Sequence, residues 1–396
     1  MPFFYAVGVT FIVHVNFVLP PYSNTGVVNT ATNFGGAIVD FNDVLRNGLC
    51  CSIDWLSFTI ERYVDLWSCL SEFGFSQSDF YDAPRGANGY RKMLLYYGFP
   101  IRVLYDGNDN MGIHIDVSGS AVSEFYRVYY ESTFNVETPW GTLARDMELN
   151  VVKTLFQQIL RIGHMTRLDL SIDNRDLIYY DLDELHRLLS LGRFCSKFRT
   201  WKFVEEKETS GLCTGRTIYL GSRSSDVMIR IYDKKLEQNK KYKDAPERLI
   251  ESEWVRWELE LKNDRANRAV KSLIDGMSVG SLAVGILSNY FRIIYLDDTN
   301  KSRCSTSIKW LTFTDGIEAL SLYVPPIDST LEEKRAWLLR QCAPTIAAII
   351  MAQGGDLSFL SECLDLHAMR MNPKLRSMVT AANPDWLDQL HLFQGL

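Results

Sequence analysis

Three segments of the chain alternate between apolar and polar residues, and no other feature restricts its fold as much. In "TRLDLSID", residues 166–173, a period of two puts Arg167, Asp169, Ser171 and Asp173 on one side and Leu168, Leu170 and Ile172 on the other. In "WVRWELEL", residues 254–261, Arg256, Glu258 and Glu260 stand opposite Val255, Trp257 and Leu259. In "DVMIRIYDKK", residues 226–235, Arg230, Tyr232 and Lys234 stand opposite Ile229 and Ile231. Each segment has one face to bury and one mixing carboxylates or a phenol with cations. Paired in one antiparallel sheet, they would gather Asp169, Glu258, Glu260, Tyr232, Arg230, Lys234 and Arg256 on a single polar face.

The flanking sequence supplies more strands and several helices. "CSIDWLSFTI", residues 51–60, reads as a strand with Ile53, Trp55, Ser57 and Thr59 on one side. "VETPWGTLARDMELNVVKTLFQQILR" and "LDELHRLLSLG" have helical spacing, and "NRAVKSLIDG" ends a helix on glycine. After Lys234 the strand dissolves into a lysine-rich run. From Trp310 onward the segments "LEEKRAWLLRQCAPTIAAIIMAQ" and "DLSFLSECLDLHAMR" are helical. Strands and helices without strict βαβ alternation give an α+β protein. The expected division is an apolar extension and polar linker over 1–48, an α+β domain over 49–305 and a small helical domain over 306–396.

The run from Phe3 to Pro20 carries no charged residue, yet it lacks the basic start of a signal peptide. His14, Asn16 and Pro20-Pro21 interrupt it as a spanning helix, which argues against a membrane. None of the eight cysteines forms a C-x-x-C pair, so neither a zinc site nor a disulfide framework is expected, and a reducing cytoplasm is the default.

Charge is unevenly spread. From Arg187 to Lys243 there are 14 Lys/Arg against 6 Asp/Glu, whereas the remainder holds 28 against 42. A locally basic segment in an acidic chain suits an anionic partner, although a solvated charged face gives the same count.

The polar face has a chemical logic. Neighbouring carboxylates suit a hard cation such as Mg²⁺ or Mn²⁺. A tyrosine, with its pKa near 10, needs cations or a metal to become a nucleophile toward a phosphodiester. Arg and Lys can hold that phosphate and its developing charge. Arg/Glu cross-strand pairs on a solvated outer face explain the same alternation, so the pattern leaves both readings open. His114 in "GIHIDVSG" reads first as a satisfied core histidine and only second as an additional ligand.

"SIDWLSFTI", "MGIHIDVSG", "MTRLDLSID", "TIYLGSRSSDVMIRIYDKKLEQ", "WVRWELELKN" and "LEEKRAWLLRQCAPTIA" occur in the order seen in the replication initiation factor family, which this chain resembles from about Cys51 to about Met371. These are rolling-circle initiators of small plasmids and some filamentous phages, together with relaxases. The resemblance implies an antiparallel-sheet domain of the initiator/relaxase kind and a metal-dependent nicking and closing enzyme. Its tyrosine would attack one strand at the origin, keep the 5′ phosphate and release a 3′ hydroxyl primer. Tyr232 in "RIYDKK" matches the nucleophile. Asp169 and Glu258 match metal positions for Mg²⁺ or Mn²⁺, with Glu260, Asp173, Asp233 and His114 as further candidates. Arg230 and Lys234 would assist catalysis, and Arg223, Lys235, Lys240, Lys241 and Arg256 would contact DNA. Implied partners are origin DNA, single-stranded or cruciform at the nick, with a host helicase and a second copy of the chain as additional candidates. The competing expectations are a non-catalytic DNA-binding protein on the same scaffold and a membrane-associated phage protein. The first 48 residues match nothing in the family.

Overall fold

A computed structural model describes residues 43–61, 65–136, 145–322, 330–367, 371 and 373–386. The apolar run from Phe3 to Pro20 and most of the linker after it lie outside the described residues. The strands are β1 (Asp43–Val44), β2 (Cys50–Ile60), β3 (Phe80–Asp82), β4 (Lys92–Tyr96), β5 (Ile101–Tyr105), β6 (Ile113–Ser118), β7 (Gly163–Arg175), β8 (Phe194–Ser196), β9 (Trp201–Lys207), β10 (Cys213–Leu220), β11 (Val227–Asp233), β12 (Trp254–Lys262) and β13 (Phe291–Ile293). The helices are α1 (Leu66–Ser71), α2 (Ala121–Phe134), α3 (Arg145–Ile162), α4 (Leu182–Ser190), α5 (Lys234–Lys241), α6 (Asn263–Ile274), α7 (Val279–Tyr290), α8 (Ile308–Phe313), α9 (Leu331–Gln341), α10 (Ala343–Ala352), α11 (Ser358–His367) and α12 (Pro373–Ala382). None is long and apolar enough to cross a membrane among the described residues.

One antiparallel sheet of eleven strands dominates, in the order β3-β4-β5-β6-β2-β7-β12-β11-β10-β9, with β1 paired to β2. The three alternating segments are adjacent strands, as their pattern requires: β7 pairs with β12, and β12 with β11. Their apolar sides, Leu168, Leu170, Ile172, Ile229, Ile231, Trp257 and Leu259, are fully buried. Helices α2, α3, α6 and α7 pack against strands of this sheet. On α6, Ala266, Ala269, Val270 and Leu273 recur at the spacing of one helical stripe, and all are buried. Each large apolar side chain so buried stabilises the fold by ~1.5–3 kcal/mol. The passage from α3 into β7 has no loop. Gly163 makes it, because a Cβ there would lie 2.0 Å from the Thr59 carbonyl oxygen.

β2 departs from simple alternation. Ile53 pairs with Leu170, but Trp55 pairs with Asp169, so Asp54 is an extra residue. This bulge corrects the expectation that Ile53 and Trp55 share a side: Ile53 is buried with the core, and Trp55 is on the polar face. The lysine run after β11 is also not a dissolving strand but helix α5, whose N-cap Asp233 accepts from the Leu236 amide at 2.9 Å.

The chain divides after Tyr323 into two compact units. The first contains the sheet, and it also contains α8. Trp310 and Phe313 of α8 are buried, with their rings 5.8 and 5.1 Å from that of Trp257. Residues 306–322, which the sequence groups with the C-terminal helices, therefore pack into the first unit. The second unit is helical, α9 to α12, with α10 packed on α9.

Candidate active site

Directly opposed residues in an antiparallel pair share a face, so the registers define rows across the sheet. One row runs Tyr232, Arg256, Asp173, and the next Arg230, Glu258, Ser171, Ser52. A third runs Met228, Glu260, Asp169, Trp55, Ser118. The polar sides of β11, β12, β7 and β2 therefore form one continuous surface.

Its carboxylates are deep and its cations shallower. Asp169, Asp173, Glu258 and Glu260 are at most 7 % exposed. Buried charge survives only when paired, and here each carboxylate has a cation. Arg167 grips Asp169 with two bonds of 2.8 and 2.6 Å and reaches Glu260 at 3.0 Å, which Lys262 also meets at 2.8 Å. Arg256 grips Asp173 at 2.7 and 2.8 Å and joins Asp54 at 2.5 Å, while Trp254 Nε1 donates to Asp173 at 2.7 Å. Arg230 donates to Glu258 Oε1, and its own Nε is buried without a hydrogen-bond partner. Burial, opposed by Arg167, pushes the Asp169 carboxyl up to about 6.

Tyr232 is fixed between acid and base. Its hydroxyl donates to Glu258 Oε2 at 3.2 Å and accepts from Lys234 Nζ at 3.4 Å. Lys234 also pairs with Glu237 at 2.5 Å. Lys234 owes its position to the turn into α5, whose cap Asp233 additionally meets Arg216 at 3.4 Å. Burial holds the Tyr232 hydroxyl well above the ordinary phenol value, more than Arg256 and Arg230 pull it down, and Glu237 and Asp54 push the same way as burial. In this state the side chain is a phenol, and its proton must leave as it attacks. The tyrosine opens onto a cleft of about 750 Å³ also lined by Trp55, Tyr219, Arg230, Lys240 and Lys241.

The remaining sequence candidates fall in different places. Arg256, expected to touch DNA, lines the cleft but is only 5 % exposed and is engaged by Asp173 and Asp54. Arg223, in the turn before β11, and Lys235, paired with Glu253 at 2.7 Å, lie outside the cleft lining. Lys240 pairs with Glu206 at 2.5 Å, and Lys241 rests 5.3 Å from the centre of the Tyr242 ring. His114 is on β6, with β2 and β7 between it and β12. It bonds Thr59 Oγ1 at 3.0 Å and stacks on Tyr90, and burial lowers its pKa. It is not brought to Glu258 or Asp169. Among the described residues no three His, Cys, Asp or Glu side chains could hold a metal ion together. Carboxylates already gripped by arginine do not fit a preformed Mg²⁺ or Mn²⁺ cage, which needs free oxygens.

Sequence reasoning missed Asp54, Asp116 and Arg102, which belong to the same surface. Asp116 accepts from Trp55 Nε1, Ser57 and Arg102. Strict alternation in "IHIDVS" carried the signal for Asp116; nothing in the sequence marked the bulge that delivers Asp54.

The fold is that of the rolling-circle replication initiators. A solved initiator of that kind from Geobacillus stearothermophilus superposes with a TM-score of 0.53 at 24% identity, covering 70% of this chain and 99% of its own. Residues 163–364, which include β7, β11 and β12, match the family described as "Replication initiation factor", and this chain belongs to that family. A protein of Bacillus subtilis (strain 168) named "Putative DNA relaxase NicK" is 29% identical over 338 residues, spanning 84% of this chain and 88% of its own length.

Proposed function

We propose that the chain initiates rolling-circle replication by nicking one strand of its origin through Tyr232. The observation that carries this reading is the Tyr232 hydroxyl held between Glu258 and Lys234. Tyr232 Oη attacks the scissile phosphorus, the new O–P bond forms, and the bond to the 3′ oxygen breaks. The phenol proton passes to Glu258 Oε2, and the departing 3′ oxygen takes a proton from water to become the primer hydroxyl. Lys234 stabilises charge on the attacking oxygen, and Arg230, with its unpartnered Nε, is suited to the phosphate. Family membership, the names of the relatives and the basic stretch from Arg187 to Lys243 all support DNA as the substrate. No step here is routed through the Mg²⁺ or Mn²⁺ expected from the sequence.

The test is to incubate the protein with a supercoiled plasmid carrying the origin, with Mg²⁺ or Mn²⁺ present. Relaxed circles and a protein–DNA adduct are expected. Tyr232→Phe should lose the adduct and keep DNA binding; an adduct formed by that variant would overturn the assignment.

A further inference from the structure

We infer that Trp55 is a stacking platform that seats an unpaired base in the cleft of Tyr232, three strands away from that tyrosine, an inference that rests on the nicking reading. The bulge at Asp54 turns Trp55 out of the core and onto the polar face, where it lines the same cleft as Tyr232. The indole is pinned rather than merely exposed. Its Nε1 donates to Asp116 Oδ1 at 2.6 Å and to Ser57 Oγ at 2.9 Å, and Arg102 Nε in turn donates to Asp116 at 2.9 Å. The Arg167 guanidinium lies 4.1 Å from the ring centre, and Arg167 is itself held by Asp169 and Glu260. An aromatic ring fixed before binding loses little freedom when a base stacks on it.

Tyr219 supplies the counterpart on the far side of the tyrosine. It stands opposite Arg230, lines the cleft, and carries Lys202 Nζ 4.8 Å from its ring centre. From β10 to β2 there are four strand spacings of ~4.8 Å, or about 19 Å in all. A strand crossing the sheet at right angles from Tyr219 would pass over Arg230, Glu258 and Ser171 to Ser52, and Trp55 lies one polar row further along β2. Bases locked in a duplex offer no free face to such rings. The surface therefore selects unpaired DNA at the nick.

The experiment compares binding of fluorescein-labelled oligothymidylate and of a blunt duplex of equal length by anisotropy. Trp55→Leu, which keeps apolar volume but loses the π face, should weaken single-strand binding about tenfold or more and leave duplex binding within about twofold. Trp55→Phe should retain most single-strand affinity. Equal losses on both DNAs, or no loss on either, would overturn the inference. Photocrosslinking of a strand containing 5-iododeoxyuridine to the wild-type protein needs no variant. The crosslinked peptide should contain Trp55, and crosslinks confined to other segments would refute the role. Tyr232→Phe separates the two readings: it should bind oligothymidylate like the wild type and form no adduct. An adduct from that variant would remove the nicking reading whatever Trp55 does.

Discussion

Glu258 holds Arg230 on one carboxylate oxygen and the Tyr232 hydroxyl, at 3.2 Å, on the other. The arginine orients the glutamate so that its second oxygen is aimed at the phenol. Since burial raises the Tyr232 pKa, little phenolate exists near neutrality, and attack depends on a proton acceptor in place. Glu258→Gln should cut the nicking rate by ~10²–10⁴-fold with DNA binding nearly unchanged. Its residual rate should climb about tenfold per pH unit as hydroxide takes over, where the wild type is flatter. A pH–rate profile of adduct formation for both proteins checks this.

Arg256 should matter for stability and not for DNA. Arg256→Met leaves the buried Asp173 without its cation and the half-buried Asp54 without its partner, at a cost of about 3–5 kcal/mol. Thermal unfolding should show a fall in Tm of roughly 6–15 °C. Below the melting transition, the dependence of DNA affinity on salt should match that of the wild type, because no phosphate contact has been removed.

Asp169 sets a pH dependence of known sign. Burial pushes its carboxyl up to about 6 in the folded chain, above the ordinary aspartate value near 3.8. Between these values the folded state binds more protons than the unfolded, so this group's contribution is present below pH ~4 and is lost as the pH rises through ~6. Asp169→Asn should remove that component, a difference of ~2–3 kcal/mol across the window. Denaturant unfolding of both proteins at intervals from pH 4 to 7 measures it.

Mn²⁺ titrated into the DNA-free protein should give no saturable one-site isotherm tighter than about millimolar, because the described carboxylates are committed to arginines. Calorimetry decides this, and a tight stoichiometric site would show that an arginine yields its carboxylate to the ion.

Much of this surface was legible in the chain. Period-two alternation put Asp169, Glu258, Arg230 and Tyr232 each on the polar side of its own strand, and the pairing of β7, β12 and β11 makes those sides one surface. Alternation could not reveal depth: whether Arg256 reaches solvent depends on Asp54, which a bulge delivers from a strand 202 residues away. The lysines after Tyr232 form a helix that Asp233 caps by accepting from the Leu236 amide, a start signal that period-two alternation does not carry. Residues 306–322 group with a helical tail in the sequence because the segments that follow them read as helices; the docking of Trp310 and Phe313 on Trp257 is a long-range packing event that local pattern does not encode.

The strand that carries Tyr232 has a mechanical consequence. β11 is hydrogen-bonded on both sides, to β10 and to β12. On the proposed chemistry, a DNA strand joined to Tyr232 delivers any tension from a moving replication fork directly to this strand. A pull along β11 loads both ladders in shear, so several backbone bonds must break together before the anchor slips. Placed on an edge strand such as β9, the same tyrosine would be held by one ladder alone.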